Sequence, residues 1–172
     1  MIRILLVEYQ ALVRNAMKYL LETNPEYRVL SEASNIKDAI LALRKNKIDL
    51  LVTGIDLEDS CGIELTRQSS ALFPKLKIII ISTHTSYVKI KEAINSGANG
   101  YFLKECTEKE LFDGIPEILN GQTYFCRKTN RILKMHSEEE SQSILEENSH
   151  KPTQKNKIHL TKREKEILKL IN

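Results

Sequence analysis

The chain has 172 residues, a formal net charge of +3, 41% hydrophobic and 28% charged residues. That length holds one domain of ordinary size with an appendage, and the composition is that of soluble globular proteins. No apolar run approaches the roughly 20 residues of a membrane span, and MIRILLVEYQ turns acidic too early for a signal peptide, so a cytoplasmic protein with no membrane partner is expected.

In chain order, two periodicities alternate. IRILLV (2–7) is a near-continuous apolar run, as expected of a strand buried on both faces. Leu12, Ala16, Leu20 with Val13, Met17, Leu21 then form a helical stripe. RVLSEA (28–33) reads as a second strand, and Ile36, Ala39, Ile40 and Leu43 as a second helix face. IDLLVT (48–53) is a third strand, running into an acidic turn with Asp56, Glu58 and Asp59 ahead of a helix starting near Ser60. KIIIIS (77–82) is a fourth, followed by a helix face of Tyr87, Ile90, Ala93 and Ile94. NGYFLK (99–104) is a fifth, and TEKELFDGIPEIL (107–119) a helix opened by the capping box Thr107 and Glu110. Gly114 and Pro116 inside that helix predict a kink or break near residue 115. Five β-α repeats imply an α/β fold, a parallel sheet with helices on both faces.

Ligand sites in such sheets lie at the carboxyl ends of the strands. Glu8 and Tyr9 follow the first strand, Thr53 and Gly54 end the third, Ser82 ends the fourth, and Lys104 ends the fifth with Tyr101 before it. A carboxylate, a hydroxyl and a lysine converging on one rim suit an oxyanion or phosphate site, with Glu8 a potential metal ligand. Each alone is weak, since a lysine at a strand end is commonly just solvated.

Residues 1–120 resemble the receiver domain of NarL/FixJ (LuxR-type) two-component response regulators. IRILLVEYQALVRNAMKYLL is similar to the family's opening, and SGANGYFLKECTEKEL and GQTYF to its later stretches. The resemblance implies a doubly wound, flavodoxin-like five-stranded parallel sheet in the order 2-1-3-4-5, with a helical C-terminal extension. It also implies two acids after strand one for Mg²⁺, a phosphoacceptor aspartate after strand three, a Ser/Thr and a Lys holding phosphoryl oxygens, and an aromatic switch residue. Carried over, Ser82, Lys104 and Tyr101 match. Glu8 matches the first acid, but Tyr9 stands at the second. The phosphoacceptor position falls on Gly54, a register to which both Asp49 and Gly62 point, and the loop's usual proline is Glu58.

Phosphoryl transfer needs an in-line nucleophile and neutralising metal. Gly54 supplies no nucleophile, and Glu8 alone, with Tyr9 crowding the pocket, supplies too few hard oxygens for Mg²⁺. No catalytic residue, metal or cofactor is therefore expected. Asp56 is the obvious substitute nucleophile. The plainer expectation is that Asp56, Glu58 and Asp59 form a solvated turn capping the next helix. For Lys104 the readings are an ion pair with Glu8 or simple solvation. Three unpatterned cysteines, Cys61, Cys106 and Cys126, suggest reduced, inert thiols.

Residues 1–120 carry 15 Lys+Arg against 16 Asp+Glu, and residues 121–172 carry 11 against 7. A basic tail on a neutral domain hints at nucleic acid. The expected organisation is a receiver-like domain (1–120), a helix over 127–148 with a polar linker (together 121–158), and a segment 159–172 beginning a further domain. LTKREKEILKLI (160–171), with a capping box from Thr161 to Glu164, resembles the first helix of the LuxR-type helix-turn-helix. No recognition helix follows in this sequence, so DNA is a partner only where a complete helix-turn-helix is present. The reading reached is a phosphorylation-independent pseudo-receiver controlling transcription, as a homodimer. The alternative is a stand-alone protein-interaction module without DNA binding. An enzyme is not expected: there is no glycine-rich phosphate loop or catalytic His/Asp set, and His84, His136, His150 and His159 are dispersed.

Overall fold

A computed structural model of the chain describes residues 1–58 and 60–148, with side chains described through Ser137. The strands are β1 (Ile2–Val7), β2 (Tyr27–Ala33), β3 (Leu50–Thr53), β4 (Lys77–Ser82), β5 (Gly100–Leu103) and β6 (Tyr124–Phe125). The helices are α1 (Ala11–Glu22), α2 (Ile36–Lys45), α3 (Gly62–Leu72), α4 (Tyr87–Asn95), α5 (Glu108–Leu119) and α6 (Arg127–Asn148). All strands pair in parallel, in the order β2-β1-β3-β4-β5-β6. The expected doubly wound α/β architecture and its order are present, with one correction: the sheet has six strands.

The sixth is a two-residue strand from the YF of GQTYF, pairing Gly100 with Tyr124 and Tyr101 with Phe125. Its brevity hides it from any periodicity count. It covers the outer side of β5, which would otherwise present unpaired backbone groups.

The apolar runs behave as strands buried on both faces. Along β1, Ile4 and Leu6 enter one apolar cluster while Leu5 and Val7 enter the other, the period-2 alternation of a strand. Each fully buried Leu or Ile contributes about 2 kcal/mol, so this central strand is a major stabilising element. The predicted faces of α2 and α4 also point inward: Ala39 and Leu43 are buried in one, Ile90, Ala93 and Ile94 in the other. On α1 the stripe is narrower than its sequence suggests. Leu21 is buried and Met17 and Leu20 pack partly, but Leu12 faces out.

The capping box of α5 is present, with both the Thr107 and Glu110 side chains accepting from backbone N–H groups. The predicted break near 115 does not occur, and α5 runs unbroken through Pro116. Pro116 lies on the exposed side, while Leu111, Ile115 and Ile118 are buried on the other. The packing of that apolar face outweighs the cost of one lost backbone bond. Gly114 has a tertiary cause. A Cβ there would lie 2.5 Å from Tyr124 Cδ1 and 2.7 Å from Phe102 Cζ, two rings stacked at 5.6 Å between centroids.

At the opposite end of the sheet, Asp49 accepts from Arg3 Nη2 at 2.6 Å, from Arg3 Nε at 2.8 Å and from the Arg3 backbone N–H at 2.9 Å. Hydrogen bonding from Arg3 holds the Asp49 carboxyl below its ordinary range. A depressed native pKa means the stabilisation is present above the unfolded carboxyl value, near pH 4, and is lost as pH falls through the native value. Asp49→Asn is therefore expected to lower the melting temperature at pH 7 and to matter progressively less below pH 4. An equal loss at pH 7 and pH 2.5, measured by circular dichroism melts, would remove the ion pair as the cause.

The expected helix over 127–148 is α6. It packs against α4, β5 and β6, with Thr129 and Leu133 buried and Tyr87 stacked on His136 at 4.5 Å. The α4–β5 side of the domain is thus partly covered by the chain itself. The cysteine expectation needs correction: Cys106 and Cys126 are joined as a disulfide, leaving Cys61 as the free thiol. The two lie 20 residues apart in sequence but come together because β6 returns the chain alongside β5. The predicted linker (149–157) and the LTKREKEILKLI helix fall outside the described residues. Among the described residues no helix is long and apolar enough to cross a membrane.

Candidate functional site

Parallel pairing brings four strand ends to one rim. Val7 pairs with Thr53, Thr53 with Ile80, and Ser82 with Leu103. Glu8, Gly54, Ser82 and Lys104 therefore follow or end neighbouring strands β1, β3, β4 and β5. The rim residues singled out from the sequence do converge, with Tyr9 the exception.

At the centre is one ion pair. Lys104 Nζ donates to Glu8 Oε2 at 2.8 Å, with the Glu8 side chain 1% and the Lys104 side chain 28% exposed. Glu8 Oε1 accepts the Gln10 backbone N–H at 3.0 Å, so both carboxylate oxygens are engaged. The Glu8 backbone carbonyl accepts from Arg14 at 2.5 Å. Burying a carboxylate is tolerable only with a counter-charge and filled hydrogen bonds, and Glu8 has both. Of the two sequence readings of Lys104, the ion pair is the one realised.

Gly54 explains how the pair can form. Lys104 comes from β5 and Glu8 from β1, with β3 and β4 between them in the sheet. A Cβ at Gly54 would lie 3.1 Å from Glu8 Oε2 and 3.8 Å from Glu8 Cδ. The Glu8 carboxylate thus borders the space that a side chain at 54 would fill. Gly62 is required for a matching reason: a Cβ there would fall inside the Gly54 carbonyl, while its N–H donates to Ile55 O at 2.6 Å.

Tyr9 is corrected. It does not crowd the pocket but is 43% exposed, its hydroxyl accepting from Gln10 Nε2 at 2.9 Å. Tyr9 lies two residues past the end of β1, where strand pairing no longer directs its side chain, and it is held at the surface beside Gln10.

The acidic turn is solvated as expected, with Asp56 and Glu58 exposed, but it does not cap the next helix. Asp56 accepts from His84 Nε2 at 3.0 Å, and Glu58 accepts from the Ser34 hydroxyl at 2.8 Å. Neither caps α3, whose N-cap is Cys61 with no side-chain cap bond. Asp59 falls outside the described residues. His84, overlooked as one of several dispersed histidines, stands two residues beyond Ser82 and links three rim elements. Its backbone N–H donates to Ser82 Oγ at 3.1 Å, and its carbonyl accepts from Tyr101 Oη at 2.8 Å. Tyr101 is fully buried, and desolvation pushes its phenol up to about 12 against an opposing hydrogen bond with Ser82. At neutral pH it is a fixed donor.

The fit of a Mg²⁺ ion can be judged from these donors. Glu8 has both oxygens engaged, Tyr9 points to solvent, and Gly54 supplies no side chain. Among the described residues no group of three His, Cys, Asp or Glu side chains gathers to hold a metal. The rim does not match a hard-oxygen magnesium site.

Comparison with known proteins agrees with the fold. The family model described as response regulator receiver domain matches residues 4–115. The transcriptional regulatory protein DegU of Brevibacillus brevis is 26% identical over 99% of this chain and 74% of its own length. The uncharacterized transcriptional regulatory protein YxjL of Bacillus subtilis is 30% identical over 80% of this chain and 62% of its own length. The crystal structure of a LuxR-family two-component response regulator from Aurantimonas sp. SI85-9A1 superposes with a TM-score of 0.75 at 28% identity, over 78% of this chain and 96% of that one. A six-stranded parallel sheet with Ser82, Tyr101 and Lys104 on its carboxyl rim, together with a family match over most of the sheet, leads to one conclusion: the chain belongs to the response regulator receiver domain family.

Proposed function

We propose that this chain is a pseudo-receiver, a receiver domain whose output on transcription does not depend on phosphorylation. The observation that carries this is the Glu8–Lys104 ion pair beside Gly54. Gly54 stands where the resemblance puts the phosphoacceptor, and a glycine has no nucleophile to offer. Lys104, which would hold a phosphoryl oxygen, is committed to Glu8, and Glu8, which would help hold Mg²⁺, is committed to Lys104. The two retained charges neutralise each other and leave no receptive site for the phosphoryl group. Ser82, Tyr101 and His84 are tied in one hydrogen-bonded arrangement, as expected of a switch that is not thrown by phosphate. The role is regulatory rather than enzymatic. It acts in the cytoplasm through the helix-turn-helix domain of which 159–172 is the start, with DNA as the partner of that domain and a second copy of the chain as the dimer partner. DegU and YxjL, both named as transcriptional regulatory proteins, support this reading.

The test is incubation with acetyl phosphate and Mg²⁺ followed by intact mass measurement. No phosphate adduct is expected. A stoichiometric adduct would overturn the proposal and direct attention to Asp56, the exposed carboxylate two residues beyond Gly54.

A further inference from the structure

We infer that Cys106 and Cys126 form a peroxide-responsive dithiol switch that fastens α6 to the receiver rim. This rests on the pseudo-receiver reading for its purpose, since it supplies an input where phosphorylation is lost.

The placement carries the argument. Cys106 lies two residues beyond Lys104, in the turn leading to the N-cap Thr107 of α5. Cys126 is the residue between β6 and α6, fully buried, with its sulfur 3.3 Å from Thr129 Oγ1 in the first turn of α6. Their Cα atoms are 6.6 Å apart, within bridging range. The bridge thus joins the loop that follows the rim lysine to the start of the helix covering α4 and β5. Two polar links run beside it: Glu110 Oε1 accepts the Arg127 backbone N–H at 2.9 Å, and Lys128 pairs with Glu105 at 2.5 Å. These are exposed and individually weak, so the covalent link is the strong member of the set.

A regulator of transcription works where thiols are kept reduced. A disulfide there is transient and regulatory rather than a permanent staple. The exposure pattern suits that role: Cys106 is partly exposed and Cys126 fully buried, so Cys106 meets the oxidant and Cys126 resolves. The Cys106 thiolate attacks one oxygen of hydrogen peroxide and the O–O bond breaks. Hydroxide leaves, takes a proton to become water, and Cys106 is left as the sulfenic acid. The Cys126 thiolate then attacks that sulfur; the S–S bond forms, the S–O bond breaks, and a second water departs. The two thiols lose two electrons and two protons in all, and the peroxide gains both. A small-molecule thiol reverses the state by exchange.

The test uses the full chain, reduced with dithiothreitol, desalted, and treated with stoichiometric hydrogen peroxide. Free thiols titrated under denaturing conditions are expected to fall from three to one, with the protein running as a monomer on a non-reducing gel, because Cys61 has no partner in the pair. Hydrogen exchange of amides in residues 128–135 is expected to slow on the order of a hundredfold on oxidation, the effect of closing a loop of this length. Cys61→Ser should respond as wild type does, and Cys106→Ser should stay in the fast-exchanging state whatever the treatment. Three thiols remaining after peroxide, an intermolecular dimer, or equal exchange in the two states of the wild type would each overturn the switch. The wild-type comparison needs no folded variant. A phosphate adduct in the acetyl phosphate experiment would defeat the pseudo-receiver reading while leaving these thiol and exchange results intact, so the two failures are distinguishable.

Discussion

Lys104→Met is expected to destabilise the chain by about 3 kcal/mol, because it strips the counter-charge from a carboxylate that is almost completely buried. Methionine preserves most of the stem packing, so the loss reports on charge rather than volume. The Gln10 backbone N–H remains on Glu8 Oε1, but one neutral donor does not offset the desolvation of an anion. The partner change, Glu8→Gln, is expected to cost less. It leaves Lys104, whose side chain is 28% exposed, able to turn toward water, and it keeps an acceptor for Gln10. The double variant should be more stable than Lys104→Met alone, since no unpaired charge stays buried. Urea denaturation of the four proteins gives the cycle. A Lys104→Met loss below about 0.5 kcal/mol would mean that the ion pair does not hold the rim together.

Gly54→Asp is expected to destabilise by about 2 kcal/mol near neutral pH, and by itself to leave the chain unphosphorylated by acetyl phosphate. The backbone at Gly54 does not forbid a side chain, since the positive-φ glycines are Gly97 and Gly121. The obstacle is Glu8, whose Oε2 would sit 3.1 Å from the new Cβ. Two carboxylates would then share one ammonium, and like charges at that range cannot both ionise freely. The shared proton raises the folded-state affinity of the pair for H⁺ above that of the unfolded chain. The penalty is therefore full above that folded value and shrinks as pH falls toward 4. Adding Glu8→Asp, which withdraws the carboxylate by one methylene, should recover part of the stability. Thermal melts at pH 7 and pH 4.5 check the sign, and intact mass checks the chemistry. A single Gly54→Asp protein that is both as stable as wild type and readily phosphorylated would mean that the Glu8–Lys104 pair yields easily, and that glycine alone separates this chain from an active receiver.

Much of this was legible in the residues. The alternation of apolar runs with helical stripes, and the Thr107–Glu110 capping box, are local: each depends on neighbours within about one turn or one strand. They yielded the element order, the parallel sheet and the rim on which Glu8, Gly54, Ser82, Tyr101 and Lys104 would meet. Apart from Tyr9, which turns outward beside its neighbour Gln10, the misreadings share a cause: each depended on tertiary packing against residues distant in sequence. The intact helix through Pro116 rests on a buried face formed by Leu111, Ile115 and Ile118. The short strand Tyr124–Phe125 exists because β5 lies beside it. Asp56 and Glu58 hydrogen-bond to His84 and Ser34 instead of capping a helix.

By itself the sequence determined the fold class and the absence of a side chain at position 54, since hydrophobic period and residue identity are properties of the chain alone. Only the tertiary structure decided what became of the charges left behind. Lys104 and Glu8 are 96 residues apart, and whether they pair depends on two strand ends brought together across the sheet and on the gap that Gly54 leaves between them. The same holds for Cys106 and Cys126, which no spacing rule links and which meet because β6 returns the chain alongside β5.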